Sequence, residues 1–121
     1  MFVDRFELKL KKSLKTITFR VQSYHYLNPE LNSMFDGEYP SLVVLYKRDK
    51  DIYKRINVLV IENPKKFFNN QPISDELKET NVVLILNEAL PNNIDLALEY
   101  LNKIQHEIID ELGIFLKLSP L

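Results

Sequence analysis

The chain has 121 residues, 45% hydrophobic and 27% charged, with a net charge of −1 and no cysteine; this size and mix suit one globular core and lie far from the composition of a disordered chain. The lack of cysteine excludes disulfide frameworks, thiolate nucleophiles and cysteine-ligated zinc, and two glycines leave little from which to build a phosphate-cradling loop. No apolar run approaches the roughly 18 residues of a spanning helix, and no signal-peptide core opens the sequence, so a cytoplasmic protein making no membrane contact is expected, folded as one domain over residues 1–121.

The first segment places Phe2, Phe6, Leu8 and Leu10 on one parity and mostly polar residues on the other, the period of a strand with one wet face. A turn near Lys11 to Leu14 leads into Thr16 to Tyr26, where Ile17, Phe19 and Val21 alternate with Thr16, Thr18, Arg20 and Gln22. Residues that suit a pleated surface dominate both segments, and an antiparallel hairpin is the economical connection. Residues 27–40 differ: Asn28-Pro29 reads as a helix cap and first position, and Asp36-Gly37 and Pro40 punctuate turns. This connection carries Leu31, Met34 and Phe35.

A second strand pair is expected over Leu42 to Tyr46 and Ile52 to Ile61, with the charged run Lys47 to Asp51 as its turn. Apolar residues of both parities at Val58, Leu59, Val60 and Ile61 imply cover on both faces, which places this strand centrally. Lys54 and Arg55 are adjacent and must point to opposite faces, so one of them is expected beneath a helix or near an acidic partner. Asn63-Pro64 starts a short helix carrying Phe67 and Phe68, and Ser74 caps another over Asp75 to Glu79. Val82 to Leu86 is a short buried strand by its length and β-branching.

The longest periodic segment is the last. Asn93 can cap a helix over Ile94 to Leu112, in which Ile94, Ala97, Leu98, Leu101, Ile104, Ile108 and Leu112 recur at steps of three and four, an apolar stripe that must cover a sheet. Gly113 stands where a left-handed residue would close the helix, and Ile114 to Leu118 can add a short strand. The fold class is therefore α+β: an antiparallel sheet of about five strands with a long C-terminal helix packed on one face.

Chemistry is sparse. The run HEIIDE from His106 to Glu111 lacks the second histidine of the zinc-binding HExxH pattern, and no nucleophile elbow, phosphate-binding loop or dinucleotide fingerprint is present, so neither a metal nor a cofactor is expected and the chain reads as non-catalytic. Charge is polarised instead. Residues 1–60 hold 11 Lys and Arg against 7 Asp and Glu, and residues 61–121 hold 5 against 10. Asp110 and Glu111 also sit at the negative end of the helix dipole, a cost of about 0.3–1 kcal/mol each that a basic partner would offset. The expected function is a protein-binding module, an assembly subunit, adaptor or inhibitor-type partner. Its contact residues would be Met34, Phe35, Phe67 and Phe68 from the connections and His106, Glu107, Asp110 and Glu111 from the helix, with another protein or a second copy as partner. The alternative is a single-stranded nucleic-acid binder using Arg5, Lys9, Lys11, Lys12, Lys15 and Arg20 with Tyr24 and Tyr26 as stacking platforms.

Overall fold

The computed structural model describes residues 5–27, 37–70 and 72–117. The helical turn expected at Asn28-Pro29 lies outside the described residues, as do Phe2, Leu31, Met34 and Phe35. The described residues form strands β1 (Arg5–Leu10), β2 (Lys15–Ser23), β3 (Ser41–Asp49), β4 (Ile52–Ile61), β5 (Val82–Leu86) and β6 (Phe115–Lys117). The helices are α1 (Pro64–Asn69), α2 (Asp75–Glu79) and α3 (Ile94–Glu111). The strands make one antiparallel sheet in the order β1-β2-β5-β3-β4-β6, and α3 packs on it. The fold is α+β, with the short β6 added to the five longer strands.

Both expected hairpins form, the first with its turn at the expected residues and the second with a turn shorter than expected. Leu10 pairs with Lys15 across a four-residue loop, and Asp49 pairs with Ile52, so most of the charged run at 47–51 belongs to the strand ladder. Only Lys50 and Asp51 turn. Lys50 takes φ 60° and Leu14 takes φ 57°, a left-handed region that side chains bearing a Cβ enter at a cost of about 1–2 kcal/mol.

β5 enters between β2 and β3, pairing Val21 with Leu84 on one side and Val44 with Leu84 on the other. Its five apolar residues therefore face packed layers above and below. On the first face Leu10, Ile17, Phe19, Leu42, Val44 and Leu84 meet Leu101, Ile104, Ile108 and Leu112 of the α3 segment. On the second, Val43, Leu45, Val83 and Ile61 meet Phe68 of α1 and Leu77 of α2. The same alternation that sorts a strand's residues by parity thus feeds two cores.

β4 is not central. It is next to the edge, with β3 on one side and the three-residue β6 on the other. Burial of both parities in β4 arises because both faces are roofed, a condition that does not require neighbouring strands on both sides. A bulge opposite Leu45/Tyr46 shifts its register, and the Gln105 side-chain amide donates to Val58 O at 2.8 Å, which covers part of the outer edge that would otherwise invite another strand.

The α3 stripe buries Ala97, Leu101, Ile104, Ile108 and the C-cap Leu112, whereas Ile94 is exposed. At about 1.5–3 kcal/mol for each large side chain, this contact far outweighs helix propensity. The N-terminus is capped as expected, by Asn93 Oδ1 accepting from Leu96 N at 3.1 Å. The C-terminus is not. Gly113 has no positive φ; instead Leu112 turns extended, its N–H donating to Ile108 O. The free carbonyls are met from the sheet, where Arg55 Nη1 donates to Leu112 O at 2.7 Å and to Ile109 O at 3.3 Å. A guanidinium at the negative end of the dipole supplies the cation that the last turn itself lacks.

Candidate functional site

The residues expected to meet a partner separate once placed. Phe68 is fully buried against Tyr24, ring centroids 5.5 Å apart, and Phe67 is half-buried over the same cluster. Their apolar surface is spent on the second core, because α1 is too short to hold itself without that contact. Phe68 is thereby removed from the contact surface, and Met34 and Phe35 lie outside the described residues. Among the helix residues His106 and Asp110 are exposed, Glu111 is half-buried, and Glu107 is only 9% exposed. Glu107 is corrected from an exposed acid to a buried one: it flanks Ile108 and Ile104 on the packed side, and its Oε1 has no hydrogen-bond partner among the described residues.

The basic set also divides. Arg5, Lys9 and Arg20 stand on the second face by alternation with Phe6, Leu8, Leu10 and Phe19, which pack against the first core. Lys15 turns the other way, its Nζ 4.5 Å from the Tyr100 ring centroid and donating to Tyr100 Oη. Lys12 lines a cleft shared with α3, and Lys11 is exposed in the turn. Tyr24 is buried and cannot offer its face to a base. Tyr26 is half-buried and stacks on His25 with centroids 5.4 Å apart and planes 6° from parallel. Half of the expected stacking platform is therefore core.

Two concave sites include residues of the expected sets, one on each face. The first, about 470 Å³, lies between the β1–β2 loop and α3 and joins Lys12 and Ser13 to Lys103, His106, Glu107 and Asp110. It brings together residues from both expected sets and both charge signs, so the polarity of the two sequence halves partly cancels in space. Beside Ser13 in the same loop, Leu14 is 83% exposed. The second site, about 280 Å³, opens over β2, β5 and β3, where Arg20, Ile85 and Val43 stand side by side, and is walled by Tyr39, Pro40, Phe68 and Leu90. Its rim is tied by Tyr39 Oη donating to Pro91 O and by Lys65 N donating to Gly37 O at 2.9 Å. Arg20 belongs to the basic set expected from the sequence, whereas Leu14 is not marked as a site residue by local pattern. A loop with no glycine at its left-handed position is the one available clue to Leu14.

Among the described residues no group of three or more histidine and acidic side chains is arranged to hold a metal, and no helix is long and apolar enough to cross a membrane. Burial pushes the Tyr46 phenol up to about 12, partly opposed by the nearby Arg55 charge, and burial also raises Tyr24. Comparison of the chain with protein-family models, curated proteins and solved structures finds no match.

Proposed function

We propose that the chain is a non-catalytic protein-binding module, an assembly subunit, adaptor or inhibitor-type partner, and that it docks through the β1–β2 loop and the adjoining polar side of α3. The observation that carries this reading is Leu14. A leucine held at φ 57° and 83% exposed bears backbone strain and gains almost nothing from burial, whereas asparagine or glycine would serve the turn better. A partner that covers Leu14 recovers the apolar surface, and Lys12, Lys103, His106 and Asp110 around the neighbouring cleft supply the mixed-charge rim that orients docking.

The test uses a photo-reactive residue in place of Leu14 or of His106, with Glu7 on the far face as control, irradiated in the source cell. Adducts to one and the same protein from positions 14 and 106, absent from position 7, support the reading, and an adduct between two copies of the chain identifies a homo-oligomer. Leu14→Asn separates binding from folding: it is expected to raise stability by about 1 kcal/mol through relief of the turn while weakening partner capture. Equal capture by Leu14→Asn and by the charge-reversed pair Asp110→Lys, Glu111→Lys would overturn the proposal. The nucleic-acid alternative rests on Arg5, Lys9 and Arg20. It requires oligonucleotide affinity to fall steeply between two salt concentrations.

A further inference from the structure

The cleft on the second face is not used by the proposed docking surface, and its chemistry points elsewhere. Its floor is apolar: Val43 and Phe68 are buried beneath it, and half-buried Ile85 and Leu90 with exposed Tyr39 offer the accessible apolar surface. One permanent cation, Arg20, stands at its side, exposed and neighbouring Ile85 across the β2–β5 ladder. Arg5 is the direct cross-strand partner of Arg20 in β1, so two guanidinium side chains are opposed on one face. Like charges so placed repel, and no carboxylate forms an ion pair with either among the described residues. The carboxylate in the lining, Glu38, pairs with Lys65 Nζ at 3.7 Å.

We propose that this cleft binds a small amphiphilic carboxylate, its apolar body on Ile85, Leu90 and Tyr39 and its carboxylate bridging Arg20 and Arg5. A guanidinium offers a planar fork matched to two carboxylate oxygens, and an anion between Arg20 and Arg5 converts their repulsion into two attractions. Size limits the ligand. A volume of about 280 Å³ is just under the roughly 300–1,000 Å³ of drug-sized sites, so it suits a medium-chain or aryl-alkyl acid and not a long-chain lipid or a nucleotide.

The chain itself tests this without any variant. Decanoate and 3-phenylpropionate are titrated into the full chain at neutral pH, beside decanol and 3-phenylpropanol of the same shape, and amide shifts are followed by two-dimensional NMR. The acids are expected to bind at least tenfold more tightly than the alcohols, with shifts centred on Val43, Ile85 and Leu90. Arg20→Leu, at an exposed position that the core does not need, is expected to abolish that preference and leave the weak alcohol affinity in place. Alcohols that bind as tightly as the acids, acid affinity unchanged in Arg20→Leu, shifts centred on Leu14 and α3, or no binding at millimolar acid would each overturn the proposal.

Discussion

The two faces of the sheet bury apolar side chains by opposite means. The first is covered by one 18-residue helix whose residues at steps of three and four interlock with three strands. The second is covered by α1 and α2, of six and five residues, each pinned by a side-chain cap and by one buried residue, Phe68 or Leu77. A long helix carries its own pattern and lacks only a surface to lie on. Short helices exist only because a surface holds them, so the second face is a layer whose parts have no independent stability.

The sharpest way to break this comparison is to empty each layer in turn. Phe68→Ala is expected to cost about 3–5 kcal/mol and Leu101→Ala about 2–5 kcal/mol, read from urea unfolding. The two should differ in kind as well. Loss of Phe68 should release α1 locally, exposing its amides to hydrogen exchange below the global unfolding free energy, whereas loss of Leu101 should lower protection throughout. Uniform loss of protection in Phe68→Ala would mean that the second layer is as cooperative as the first.

A smaller effect is expected at the helix end. Arg55→Met removes a charged donor from two carbonyl oxygens and the cation from the dipole, an expected loss of about 1.5–3 kcal/mol. Arg55→Lys should restore only part of it, because an ammonium on a flexible stem lacks the fixed fork. Full stability in Arg55→Met would show that solvent satisfies those carbonyls equally well.

The smallest change at neutral pH belongs to Tyr46. Its hydroxyl is buried with no hydrogen-bond partner among the described residues, so Tyr46→Phe should alter stability at pH 7 by less than about 1 kcal/mol, toward stabilisation. Above pH 10 it should matter more. The folded phenol holds its proton up to about pH 12, whereas the unfolded one releases it near 10. The unfolded state then binds fewer protons, and stability falls as pH rises through that window. The melting temperature of Tyr46→Phe should decline less between pH 10 and 12 than that of the parent chain, and parallel declines would contradict this.

What local pattern reveals follows the length of each element. Nineteen residues from Ile94 to Leu112 sample the apolar stripe several times over, so the helix and its buried side are evident from the sequence, as are the three caps Asn63, Ser74 and Asn93. The candidate clefts are another matter. Arg20 acquires meaning beside Ile85 and Arg5, and Lys12 beside Asp110, through pairings between segments tens of residues apart. Glu107 reads as an outward acid because a periodic count assigns it to the boundary of the stripe, where the angle at which α3 crosses the sheet decides between burial and exposure.

The amino-acid sequence by itself determined the α+β class, the two hairpins, the capped helices and the exclusion of thiol and glycine-loop chemistry, because each depends on residue type or on spacing within a single element. Tertiary structure alone decided that β5 lies between β2 and β3, that β4 stands near the edge, that Arg55 closes α3 and that Arg5 and Arg20 meet beside an apolar cleft. Strand order and cross-strand neighbours are set by how whole faces pack against one another, and that free energy belongs to no single segment.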